Sequence, residues 1–195
     1  DHPIITNDVL EQLRHSDIEN FRGTTLNTLF SVEQGPEAMG QRLEALFVEA
    51  EAAVDAGRTM LVLSDRGVDA ERAPIPALLA LSSIHHHLIR VGKRSQCSLI
   101  VETGEAREVH HFALLVGYGA DAINPYLAFE ALFQATQGMP RKVNRLAHYA
   151  LTAAAINKAK TVTAEHVQAA REEVGEGQLD RVVDAPRDAQ LPRIG

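Results

Sequence analysis

The stretch TMLVLSDRGVDAERAPIPALLALSSIHHHLIRVGKRSQCSLIVETGEAREVHHFALLVGYGADAIN, residues 59–124, decides the fold. Residues 59–64 (TMLVLS) and 97–102 (CSLIVE) are short, continuous apolar runs, the pattern of strands covered on both faces. Between them, Pro74 and Pro76 stand near the start of a helix that runs to about Val91, with Gly92 after it. A second helix is read from Glu105 to about Val116, ended by Gly117-Tyr118-Gly119. A last short strand, residues 121–124, stops at Pro125.

Upstream, residues 24–32 (TTLNTLFSV) are rich in β-branched and apolar types and read as one strand. Gly35-Pro36 breaks the chain. Residues 37–56 then place Met39, Leu43, Leu46, Phe47, Ala50 and Val54 on one helical face, with Gly57 as a cap. Strand and helix alternate throughout, which implies parallel pairing through right-handed crossovers. Four strands are too few for a closed eight-stranded barrel, so the expected fold is α/β, an open parallel four-stranded sheet with crossover helices. Near residue 133 the character changes, and a C-terminal helical segment follows. Residues 140–158 read as an amphipathic helix opened by Pro140, and 164–174 as a second helix with Thr163 as N-cap. From Gly175 the sequence has no periodicity, and residues 175–195 read as a disordered tail.

The 195 residues are 45% hydrophobic and 23% charged, enough to bury a core. A net charge of −7 argues against a nucleic-acid or membrane-surface binder, and the absence of Trp argues against base stacking. One cysteine, Cys97, leaves no internal disulfide and fits a cytoplasmic setting. No run is long and apolar enough to span a bilayer. Asp1-His2-Pro3 carries neither a signal pattern nor an initiator Met, and reads as an internal cut.

Ser64-Asp65-Arg66, Glu102-Thr103, Asn124 and Tyr126 lie just past the carboxyl ends of three expected strands. In open parallel sheets that edge is where ligands and partner loops dock. The plainer alternative is a buried Asp65–Arg66 or Glu102–arginine network that pins the loops together. Ser64 is not in a G-x-S-x-G elbow, so a hydrolase triad has no support. The triple His85-His86-His87 cannot converge on one metal, because helical neighbours stand about 100° apart and no ligand follows at i+4. A hydrogen-bonding role suits these histidines better, and His110 and His111 on the next helix are the candidates to approach them. Gly117-Tyr118-Gly119-Ala120-Asp121-Ala122 matches G-x-G-x-x-A, but a helix precedes it and a strand follows. A dinucleotide site needs the reverse context, so this is a helix stop.

Residues 63–132, with SDRGVDAERAPIP, ETGEAREVHHF and GYGADAINPYLAFE as long specific blocks, closely resemble the central domain of glutamate synthase large subunits. So does the lead-in HPIITNDVLEQLR, and the resemblance covers residues 1–132. It implies an α/β domain joining two active sites. In that family glutamine is hydrolysed at an N-terminal cysteine, and ammonia passes through a tunnel to FMN, where 2-oxoglutarate becomes glutamate. This chain starts at Asp1 and has one cysteine, whereas an iron–sulfur cluster takes about three or four. No catalytic, cofactor-binding or metal-ligating residue is carried over. FMN and the cluster belong to parts of the family enzyme outside this chain, and its other domains or subunits are the expected partners.

Residues 133–174 (FQATQGMPRKVNRLAHYALTAAAINKAKTVTAEHVQAAREEV) look like the C-terminal helical lid of AAA-type ATPases of the secretion and transposition kind. Gly138 to Arg141 matches a sensor motif in which the arginine reaches the γ-phosphate. No G-x-x-x-x-G-K-[ST] loop occurs in the sequence, so Arg141 is expected to be idle. The two patterns meet inside AFEALF, residues 128–133, and imply a chimera. Three functions remain open: a non-catalytic connecting domain of glutamate synthase, a partner-binding or assembly module with a helical lid, and a degenerate ATPase fragment. A sheet with uncovered faces and edges is also expected to receive the later helices on a face, or to self-associate.

Overall fold

The computed structural model describes residues 3–16, 18–19, 21–157 and 164–175. In chain order the first elements are α1 (Asn7–Arg14), β1 (Gly23–Asn27), β2 (Leu29–Ser31), α2 (Ala38–Asp55), β3 (Met60–Ser64) and β4 (Arg72–Pro74). They are followed by α3 (Ala77–Arg90), β5 (Ser98–Glu102), α4 (Val109–Gly117), β6 (Ala122–Asn124) and α5 (Tyr126–Thr136). Last come α6 (Pro140–Ile156) and α7 (Ala164–Gly175). The chain divides into two compact units, Asp1–Glu130 and Ala131–Gly195.

In the first unit β1, β3, β5 and β6 pair in that order, all parallel, which is the open four-stranded sheet expected from the sequence. Each crossover moves on to the neighbouring strand, so helices of one hand collect on one face. There Leu46, Ala50 and Val54 of α2, Leu81, Ile84 and Leu88 of α3 and Leu115 of α4 pack on Leu26, Leu61, Leu63, Leu99, Val101 and Ile123. Fully burying a Leu or Ile of this kind stabilises by about 1.5–3 kcal/mol. The alternate strand residues Met60, Val62 and Ile100 face the other side, where α1 supplies Leu10 and, half-buried, Leu13. Within the first unit, that second face is packed by α1, a helix of eight residues. α1 itself went unread in the sequence, although Thr6 caps it by accepting the Val9 N–H at 3.3 Å.

Several expectations are corrected. The strand read over 24–32 is two strands. The Asn27 side chain accepts the Leu29 N–H at 2.7 Å, and Thr28 turns the chain by donating its N–H and hydroxyl to the Ser64 carbonyl at 2.9 and 3.0 Å. β2 then leaves the sheet and pairs antiparallel with β4, a strand not expected at all. α4 starts at Val109, not Glu105, because Glu108 and His111 form a reciprocal cap. Pro125 ends β6 as read, but it also opens α5, its carbonyl accepting the Phe129 N–H at 3.1 Å. The β6 edge is covered by the chain's own start. Ile4 bridges Ile123 in parallel, with Ile123 N–H donating to Pro3 at 2.7 Å and Ile5 N–H to Ile123 at 2.9 Å.

In the second unit α6 and α7 pair through Leu146, Ala150 and Ala170, with Tyr149 and Val167 partly buried around them. Both were expected, with Pro140 at the start of α6. Arg141 lies in the first turn of α6, but its side chain is outside the described part, as are Thr163 and the tail beyond residue 175. Among the described residues no helix is long and apolar enough to cross a membrane.

Candidate functional site

The parallel register aligns the last residues of the four strands in one row: Asn27 beside Ser64, Ser64 beside Glu102, Glu102 beside Asn124. Strand alternation puts this row on the α1 side of the sheet, continuing the line of Met60 and Val62. Glu102 is 1% exposed and sits at the centre. It accepts from the Ser64 hydroxyl at 2.5 Å, from Arg66 Nε and from Arg14 Nη2. Arg14 also donates to Thr25 Oγ1 at 3.2 Å and to Glu11 at 2.5 Å. Burial alone would push the Glu102 carboxyl up. The hydrogen bonds from Ser64 and Arg66 and the charge of Arg14 outweigh it, and the acid is held below the usual carboxylate range.

Asp65, one residue on, is buried among different partners. Its carboxylate accepts from Thr103 Oγ1 at 2.6 Å and from the Gly104 N–H at 3.0 Å. The Tyr126 hydroxyl hydrogen-bonds it as well; burial first, and then the Asp65 charge, drive the phenol far above its ordinary value. The Arg66 guanidinium lies over the Tyr126 ring at 4.0 Å, and its Nη1 is 3.7 Å from Glu130. A Cβ on Gly104 would come 2.5 Å from Leu127, so glycine lets the loop close against the first turn of α5. Asn124 is fully buried and donates to the Ile5 carbonyl at 3.0 Å and to Asn7 Oδ1 at 2.9 Å. Its own Oδ1 has no hydrogen-bond partner among the described residues.

The strand-end residues singled out in the sequence, Ser64, Asp65, Arg66, Glu102, Asn124 and Tyr126, are thus brought together. The Asp65–Arg66 pair does not form, because Arg66 turns to Glu102. Sequence reasoning missed Arg14 and Asn7, by which α1 grips the row at two points. Chemically the arrangement is a clamp. General acid–base work needs a carboxylate within reach of a substrate proton, and here both carboxylates are already filled with donors from this chain.

The histidines diverge. His85 Nδ1 faces Arg94 Nε at 3.0 Å, while His87 stacks on Phe47 at 4.4 Å and meets Glu51 at 2.6 Å. His86 is exposed, and His111 Nδ1 accepts the Arg107 N–H at 3.2 Å as part of the α4 cap, not as a partner of the triple. The G-x-G-x-x-A stretch ends α4 and feeds β6, as read. At the opposite, amino edge of the sheet is a depression of about 370 Å³ lined by Leu13, Phe21, Met60, Cys97, Ile100 and Asp121 among others.

A singly layered parallel sheet with a strap helix clamped across its strand ends defines an α/β domain of the open-sheet class. The chain belongs to the glutamate synthase central domain family, whose profile matches residues 1–174. It is 46% identical over 130 residues to the NADPH glutamate synthase large chain of Bacillus subtilis, covering 65% of this chain and 8% of that one. It is 44% identical over 130 residues to the ferredoxin-dependent glutamate synthase of Pyropia yezoensis, covering 66% and 8%. With the NADH glutamate synthase of Saccharomyces cerevisiae the identity is 43% over 120 residues, covering 61% and 6%. The chain therefore spans less than a tenth of the length of these relatives. The family match runs on through residues 133–174, which the sequence reading had placed outside it, and nothing in these comparisons supports an ATPase lid or a chimera.

Proposed function

We propose that this chain is a non-catalytic connecting domain of a glutamate synthase, joining glutaminase and FMN synthase parts in glutamate biosynthesis and ammonia assimilation. One observation carries the reading beyond family membership. The strand-end edge, where an open parallel sheet would bind a ligand, is filled by the chain's own hydrogen bonds to Glu102 and Asp65. On this reading FMN and an iron–sulfur cluster belong to other parts of the enzyme. Cluster ligation takes about three or four thiolates, and the single thiol here, Cys97, is buried and pushed up by that burial. A buried reduced cysteine goes with a cytoplasmic setting. The partners are then the other domains or subunits of glutamate synthase. The test is to mix the folded chain with separately purified amidotransferase and FMN-domain fragments and follow complex formation by pull-down. Capture by one or both is expected; a folded chain that binds neither counts against the connector role.

A second reading, an assembly module, is favoured by the apolar side chains that the helical unit leaves exposed, Phe133, Leu151 and Ile156. It expects self-association in size-exclusion chromatography with light scattering. A monomer whose α6 and α7 are rapidly cleaved by protease would remove it.

A further inference from the structure

Arg94, in the 3-10 turn Arg94–Gln96 just before β5, ties the amino edge of the sheet together. Its Nη1 donates to the Cys97 carbonyl at 2.7 Å, and its Nη2 to the Gly119 carbonyl and the Asp121 carboxylate, both at 2.9 Å. The same Asp121 oxygen accepts the Leu99 N–H at 2.7 Å. The fourth contact is Nε to His85 Nδ1 at 3.0 Å. A guanidinium offers only donors, so Nδ1 must accept and the imidazole proton must sit on Nε2. The ring rests directly against the turn after α4, where glycine makes room for it. Gly119 has φ +108°, and a Cβ there would fall 2.1 Å from Nδ1. The charged and titratable groups facing His85 are Arg94 from the 3-10 turn, Asp121 ahead of β6, and His86 on its own helix, ring to ring at 5.3 Å.

We infer that His85 is the pin of a pH-sensitive latch: neutral, it completes the Arg94 clamp on β5 and β6; protonated, it releases the clamp and loosens the amino edge beside the Cys97-lined depression. Protonation at Nδ1 turns the acceptor into a donor and sets an imidazolium against the guanidinium, with Asp121 as the facing carboxylate. Burial first, and then the charge of Arg94, hold the His85 pKa below its ordinary value. The folded value thus lies below the unfolded one. The latch holds fully above the ordinary histidine range, about 6.5, and weakens as pH falls from there toward the depressed value. Opening takes up at most one proton in that window, so the opening equilibrium rises by up to about tenfold per pH unit.

The test is native-state hydrogen exchange of the Leu99, Asp121 and Ile123 amides between about pH 7.5 and 5, corrected for intrinsic rates, with a ¹⁵N NMR titration of His85. His85 is expected to titrate below about 6.5 from the Nε2–H tautomer. Protection of these amides should fall by up to about tenfold per pH unit, while that of Leu61 and Val62 in β3 stays level. His85→Asn puts a carbonyl oxygen near the Nδ1 position, keeps an acceptor and cannot titrate; it should retain protection at pH 5. If His85→Asn proves unfolded, the wild-type ¹⁵N titration and the pH dependence of exchange at Leu99 and Asp121 carry the same test. Titration of His85 at or above its ordinary value, or equal pH dependence in wild type and the variant, overturns the latch.

Discussion

The two ends of the parallel sheet are held by hubs of opposite charge. At the carboxyl edge a buried acid, Glu102, gathers two arginines and a hydroxyl. At the amino edge an arginine, Arg94, gathers two carbonyls, a carboxylate and an imidazole. They also differ in reach. Glu102 draws in Ser64 from 38 residues away and Arg14 from 88, and so joins α1 to both central strands. Among the described residues no partner of Arg94 is more than 27 residues distant. A hub built from distant segments closes the whole unit, whereas a local hub fastens one corner of it. Damage to the first should lower global stability, and damage to the second should show mainly as local opening.

The comparison is broken most directly at Glu102. Glu102→Ala leaves Arg14 and Arg66 without their shared acceptor, and removing one partner of a buried ion pair costs about 3–5 kcal/mol. Arg14 and Arg66 are 19% and 39% exposed and can regain water. The expected loss is therefore near the lower end, about 3 kcal/mol by urea denaturation. Gly119→Ala should cost about 1–3 kcal/mol, from the added Cβ against His85 and a φ that disfavours any side chain. Its signature is faster exchange at Leu99 and Asp121. A uniform loss of protection across β1 and β3 would show that the amino hub is global after all.

Acid separates the hubs with the smallest perturbation. The lowered His85 pKa makes its contribution present above the ordinary histidine value and lost first as pH falls. The lowered Glu102 pKa keeps its contribution intact until pH falls below the ordinary carboxylate value, about 4.3, and toward the folded one. Circular dichroism from pH 7.5 to 3 should show near-native secondary structure through the first stage and loss of it only in the second. A single transition near pH 6 would contradict this order.

Much of the sheet is legible in the sequence because runs such as 60–64 and 98–102 are largely apolar and bounded by glycines, Gly57 and Gly67 for the first and Gly92 and Gly104 for the second. The break between β1 and β2 is not, since it rests on one Asn27 side chain bonding two residues ahead. The strand-end site is legible by position, because any residue just past a parallel strand falls on that edge. Its wiring is not. Arg14 has no local pattern that ties it to Glu102, and the row from Asn27 to Asn124 exists only once the strands are paired in register. Arg94 is hidden for another reason: two of its acceptors are backbone carbonyls, which leave no mark in a sequence.

Whether Glu102 serves the fold or waits for an outside partner is tested most directly by a double-mutant cycle of Glu102→Gln and Arg14→Met, measured by urea denaturation. If the clamp is structural, each single change destabilises the chain and the two are coupled, by about 0.5–3 kcal/mol. Single variants as stable as the wild type, with additive effects, would mean that the carboxylate is not part of what holds the sheet and strap together, and the account of this edge would be wrong.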